Sequence, residues 1–105
     1  MADFNKILEQ AQQMQGRLEK IQDELQGMSV TATAGGGMVT VEADGKGQIT
    51  RIRIDPSIVN AADVEMLEDL VLVAVREAQQ KAAELAKQEM TKLTGGLNLP
   101  FKLPF

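Results

Sequence analysis

Phe4, Ile7, Ala11, Met14, Leu18, Ile21, Leu25 and Met28 follow one another at steps of three and four residues without a slip. A slightly underwound helix returns one face to a partner every seven residues, so this spacing is that of a coiled-coil seam and predicts one long helix over residues 4–28. Gln at 10, 12, 13, 15, 22 and 26 makes the other faces polar, which leaves only a narrow apolar stripe to be covered. At ~1.5 Å per residue the helix runs about 37 Å, whereas a compact chain of 105 residues is roughly 33 Å across. The helix is therefore expected to project, or to pack on a second copy through Ile7, Met14, Leu18, Ile21 and Leu25. A helix pair within one chain is the alternative way to fill the same seam.

After Gly27, where glycine allows a left-handed cap, the period changes to two. Val30, Ala32 and Ala34 alternate with Ser29, Thr31 and Thr33, the pattern of a half-buried strand. Gly35-Gly36-Gly37 turns the chain into a second strand with Val39, Val41 and Ala43 on one face. Asp44-Gly45-Lys46-Gly47 reads as a tight hairpin of the primed type. In the third strand, Gln48–Ile54, Arg51 and Arg53 share the face opposite Ile52 and Ile54. Residues 29–55 are thus expected to form a three-stranded antiparallel meander with one oily face.

Asp55-Pro56-Ser57 stops the third strand, because proline cannot donate to a ladder. Asp63 is a good N-cap for a second long helix over about 63–94. Its apolar stripe is broad at first and Ala-rich later, so the first half is expected on the sheet and the second half beside another helix or solvent. Acids crowd its start and Arg76, Lys81, Lys87 and Lys92 follow, an order that suits the helix dipole. Gly95-Gly96 ends it, and Leu97–Phe105 forms an apolar, proline-punctuated tail. The expected organisation is one α+β domain over 1–105, made of helix 4–28, sheet 29–55, helix 63–94 and tail 95–105.

Composition narrows the chemistry. The chain has no Cys and no His, so it lacks a thiolate nucleophile, a disulfide frame, and the commonest general base and transition-metal ligand near neutral pH. No enzyme activity, cofactor or metal is expected. The amino end lacks a signal-peptide pattern and no apolar run approaches a membrane span, so the expected compartment is the cytoplasm, without a membrane partner. Three Phe and six Met make a small aliphatic core, which favours stabilisation through an oligomer interface.

Each candidate site has a plain structural account beside it. The triple glycine is followed by a strand and lacks the Lys-Ser/Thr of a phosphate loop, so it reads as a hairpin loop. Glu65, Glu68 and Asp69 read as dipole-favouring surface acids, and Ser29 and Ser57 as caps. Lys6, Arg17 and Lys20 lie along one flank of the first helix, and a symmetric pair would present six such cations to phosphates. Glu9, Glu19, Asp23 and Glu24 share that helix, so a solvated face is the competing reading. Lys81, Lys87 and Lys92 have the same two readings, with Glu77, Glu84 and Glu89 as intrahelical partners. Arg51 and Arg53 read as charges that protect a sheet edge. A net charge of −4 confines any polyanion site to a local patch.

Five ordered blocks carry a family resemblance: Ala11-Gln12-Gln13-Met14-Gln15; Gly35-Gly36-Gly37-Met38-Val39-Thr40-Val41; Ile52-Arg53-Ile54-Asp55-Pro56-Ser57; Met66-Leu67-Glu68-Asp69-Leu70; and Leu93-Thr94-Gly95-Gly96-Leu97 with a terminal Pro104-Phe105. Together they resemble the YbaB/EbfC family of bacterial nucleoid-associated DNA-binding proteins over essentially the whole chain. The resemblance implies a helix, a three-stranded antiparallel sheet and a long second helix, in dimers whose helices protrude like tweezers. It implies non-enzymatic binding of duplex DNA at the nucleoid, in an architectural or regulatory role. The binding helices then correspond to residues 4–28 and the later half of 63–94, which makes Lys6, Arg17, Lys20, Lys81, Lys87 and Lys92 the candidate phosphate contacts. The competing function is a dimeric adaptor that offers its sheet face or its Leu97–Phe105 tail to a protein partner.

Overall fold

The computed structural model describes residues 2–94, and the tail expected over 95–105 lies outside the described residues. The chain order is α1 (Ala2–Gln26), β1 (Ser29–Ala34), β2 (Val39–Asp44), β3 (Ile49–Ile54), a short 3-10 turn (Pro56–Ile58) and α2 (Val64–Thr94). The strands form one antiparallel sheet in the order β1-β2-β3. Helix, meander and helix are as the periodicities anticipate.

The core lies between α2 and the inner sheet face. Ala32 and Ala34 of β1 and Val39, Val41 and Ala43 of β2 pack against Ala74 and Ala78 of α2. Small residues on both layers let helix and sheet approach closely, and among the described residues Val39 and Val41 are the largest side chains to be fully buried. A bulge at Glu42/Ala43 changes the register so that Ile49 opposes Ala43 while Ile52 opposes Val41. The extra residue puts Ile49, Ile52 and Ile54 on one face despite the odd step from 49 to 52. Thr50 Oγ1 donates to the Glu42 carbonyl at 3.2 Å across this irregularity.

Two turns differ from their expected conformations. Gly27 does not adopt a left-handed cap: among the described residues the positive-φ glycines are Gly35, Gly36, Gly37 and Gly47. Instead α1 closes with three-residue bonds, Gly27 N–H to Glu24 O and Met28 N–H to Leu25 O, both 3.1 Å. The β2–β3 hairpin is likewise not of the primed type. Gly47 N–H donates to Asp44 O at 3.0 Å and only Gly47 of this turn has positive φ, the three-residue loop in which a type I turn is followed by a left-handed glycine. Asp44, though buried, has its carboxylate satisfied by the Lys46 and Gln48 amides at 2.9 and 3.0 Å.

That turn is the joint of the molecule. Gly45 N–H donates to Leu25 O at 2.8 Å, sharing with Met28 N–H a carbonyl of the last turn of α1. A Cβ on Gly45 would lie 2.6 Å from that same oxygen, so only glycine permits the approach. Gln79 Nε2 of α2 reaches Gly47 O at 3.3 Å from the other side. α2 itself starts as expected, with Asp63 Oδ1 accepting from Met66 N–H at 3.3 Å.

Beyond this joint α1 and α2 run antiparallel. Ile21 and Leu25 are buried against Met90, with Leu18, Met28, Leu85 and Ala86 around them. The carboxyl-terminal half of the seam, expected to need a second copy, is thus covered within the chain. The remainder of α1 extends past the end of α2, leaving Phe4 and Ile7 68% and 62% exposed. The radius of gyration is 19.6 Å and the extents are 72 × 24 × 18 Å, against about 13 Å for a compact chain of this length.

Candidate nucleic-acid interface

Antiparallel packing of the two helices brings cations distant in sequence to one place. Arg17 and Lys20 of α1 and Lys92 of α2 line a hollow of about 230 Å³, together with Ile21, Glu24 and Glu89. Lys92 Nζ is 3.1 Å from Glu89 Oε1. The hollow therefore holds three cations against two carboxylates, a local positive surplus in an acidic chain. Lys6 is exposed on the projecting arm. On an α-helix Lys6, Arg17 and Lys20 fall within an arc of about 60°, with Lys6 roughly 16 Å further along the axis than Arg17. Three of the candidates meet at the helix crossing, and Lys6 lies on the same side of α1 further out along the arm.

The other two candidates do not join this group. Lys81 Nζ donates to the Thr31 carbonyl at 2.8 Å and lies 3.9 Å from Glu77 Oε1, so its ammonium ties α2 to β1. Lys87 is exposed but sits about 140° round α2 from Lys92. On the outer sheet face, Arg51 stands opposite Glu42 and Arg53 opposite Thr40, and all are at least partly exposed. The convergence of Arg17 and Lys20 with Lys92 was not readable from either helix alone, because it depends on which turns of α1 and α2 meet. Its available signal was the match of Leu85, Ala86 and Met90 to Ile21 and Leu25.

A second exposed region is apolar. α2 crosses β1 and β2 and leaves β3 largely uncovered, so Ile52 remains 45% and Leu72 46% exposed. An open hollow of about 430 Å³ on this side is lined by Ile54, Leu67, Val71, Leu72, Val75 and Glu68. β3 is also an edge strand, so its outer row of backbone donors and acceptors is not paired within the sheet.

A small helix–sheet body carrying a charged helical arm, with an open apolar face beside an unpaired strand, defines an α+β binding module. The sequence model of the YbaB/EbfC DNA-binding family matches residues 1–97. A nucleoid-associated protein of Gemmatimonas aurantiaca is 53% identical over 103 residues, covering 98% of this chain and 99% of the relative. A nucleoid-associated protein of Thermoanaerobacter pseudethanolicus is 50% identical over 98 residues, 93% of this chain and 88% of its own length. An uncharacterized protein of Helicobacter pylori, solved by crystallography, shares the fold with a TM-score of 0.79 at 22% identity, over 88% of this chain and 97% of that one. The chain belongs to the YbaB/EbfC DNA-binding family. Membership places it among DNA-binding proteins and not among enzymes.

Proposed function

We propose that this protein binds duplex DNA at the bacterial nucleoid, in the cytoplasm, as a homodimer with an architectural or regulatory role. Phosphate contacts supply most of the grip. The observation that carries this reading is the convergence of Arg17, Lys20 and Lys92 on one hollow at the helix crossing, with Lys6 exposed on the same side of the projecting arm. Phosphate contacts position a protein without reading bases, so such an arrangement favours limited sequence preference. Lys81 contributes less, because its ammonium is already engaged by Thr31 and Glu77.

The pairing surface moves from the seam to the open face. Ile21 and Leu25 are covered by Met90, whereas the β3–α2 hollow exposes several large aliphatic side chains next to an unpaired strand edge. An isologous contact there would bury the same apolar patch on both copies. It would leave the two α1 arms free on the outside. The same patch also favours the adaptor reading, with a protein other than a second copy seated on it.

Fluorescence anisotropy of a labelled duplex, repeated at several salt concentrations, tests the DNA reading. Four contacts on each of two copies give a log–log slope of about −7 at 0.9 per contact. Lys20→Gln removes one contact per copy, so the slope should become shallower by about 2. A slope near zero, or one unchanged in Lys20→Gln and Arg17→Gln, overturns the arm-contact reading.

A further inference from the structure

The outer half of α1 carries an apolar seam beyond the reach of α2. Met90 packs on Ile21 and Leu25, and Lys92 lies beside Arg17, so α2 covers the inner half of the seam and ends near the middle of α1. Outward of that point Phe4, Ile7, Leu8 and Ala11 are exposed and Met14 is half-buried. The β3–α2 hollow, where pairing is proposed above, is lined by other residues altogether.

A second copy of the same helix, run antiparallel, fits this stretch in one register. The register that sets Phe4 against the second copy's Met14 also sets Ile7 against its Ala11. Phenyl then meets thioether at both ends, a favourable contact, and in the middle the small Ala11 lets the two helices approach. The positions that flank the seam agree with it. Leu8 meets its own counterpart across the two-fold axis, and Asp3 of each helix stands beside Arg17 of the other. Sliding one helix by a heptad loses the match. In one direction Asp3 faces Glu24 and the layers call on Leu18 and Ile21, which already pack with α2; in the other Ala11 and Met14 stay uncovered.

We propose that the outer halves of two α1 helices pair as a short antiparallel coil over residues 4–14, a self-contact separate from the one at the β3–α2 hollow. The contact is isologous, so a copy that makes both contacts links its neighbours into arrays larger than a dimer. Lys6 and Lys20 lie roughly 130° round α1 from the seam and stay on the outside of the coil. At about 15 Å long the contact is well below the size of a standard interface. It is therefore weak and reversible, and acts between copies held close together. This inference rests neither on the DNA-binding reading nor on the pairing at the open face.

The chain has no cysteine, so thiols placed on the seam report the register. Full-length Phe4→Cys and Met14→Cys, one of them lengthened by a tag, are mixed, oxidised and followed on a non-reducing gel. The antiparallel register brings unlike thiols together and holds like thiols about 15 Å apart along the axis, too far to bridge. The mixed product should therefore form at least tenfold faster than either like product. Gly16→Cys in place of Met14→Cys puts the thiol at nearly the same height on the opposite side of α1, where a Cβ meets nothing within 4 Å, and should remove the preference. Arg17→Glu in both variants should slow the mixed product severalfold, and adding Asp3→Arg should restore it, with helical circular dichroism unchanged throughout. Leu72→Glu in both variants should leave the preference intact. Like products that outrun the mixed one, products in chance proportion, or rates no faster than with Gly16→Cys each overturn the proposal. A preference lost with Leu72→Glu also overturns it, by making the arm contact a by-product of the open-face dimer. One indifferent to the charge changes overturns the register.

Discussion

Replacing Gly45 by alanine isolates the joint on which the arm is mounted. The added methyl would stand 2.6 Å from Leu25 O and 2.9 Å from Leu25 Cδ2. The nearer atom is backbone, held in the last turn of α1, so no side-chain rotation relieves the clash. The turn must draw back, lengthening or breaking the 2.8 Å bond from Gly45 N–H to Leu25 O. Loss of one such bond costs about 1 kcal/mol, and forcing extra volume into a packed contact costs typically 1–3 kcal/mol. A loss of about 2–4 kcal/mol follows, a large part of the ~5–15 kcal/mol that holds a domain together. Urea unfolding followed by circular dichroism should show the midpoint falling by about 1–2 M, at one fixed protein concentration because pairing alters apparent stability. A midpoint within a few tenths molar of the parent would refute the claim that this glycine is fixed by close approach. Gly16→Ala supplies the contrast, since a Cβ at that helical position meets nothing within 4 Å. It should raise stability by about 0.5–1 kcal/mol.

Three further outcomes are expected. Leu72→Glu, on the rim of the β3–α2 hollow, should abolish the proposed pairing in light scattering while leaving the circular dichroism of the monomer intact; an unchanged mass would place the pairing elsewhere. Asp63→Ala removes the cap of α2 and should cost about 1 kcal/mol in urea unfolding, with no effect if the Met66 amide is served by water. Asp55 accepts from Ser57 N–H, which lowers its pKa below 3.8. A depressed folded-state value means that its contribution is complete above the ordinary carboxylate value and is lost as pH falls through the lowered one. Comparing Asp55→Asn with the parent, the stability difference should therefore shrink below about pH 4 and be constant from there to neutrality.

The elements themselves were legible because each announces its own period. Seven-residue spacing marked α1, alternation marked β1 and β2, and Asp63 with the stripe behind it marked α2. What remained hidden depended on contacts between elements. The seam of α1 states that a partner is needed but not which, and Ile21 and Leu25 found theirs in Met90 of the same chain. The bulge at Glu42/Ala43 could not be seen in a strand whose isoleucines are oddly spaced, although that spacing was the trace it left. Gly45 looked like a turn glycine chosen for positive φ, whereas Gly47 has that conformation and Gly45 is required by its neighbour. For the site, residue type was readable and convergence was not. Lys81 and Lys92 carry equal charge in the sequence, yet one is tied to β1 and the other opens onto the hollow beside Arg17.

Because, among the described residues, α1 is clamped to the body near its carboxyl end, at Ile21, Leu25 and the Gly45 turn, the rest behaves as a stiff cantilever. About 20 residues beyond the clamp make a lever roughly 30 Å long, so a 10° swing at the root carries the tip about 5 Å. Small adjustments in the turn between Asp44 and Gln48 are thereby magnified at Lys6, while the charges along the rod keep their spacing. Such an arm fits itself to the local contour of a duplex by pivoting as a unit, and the geometry of its grip is set at the hinge and not at the surface it touches.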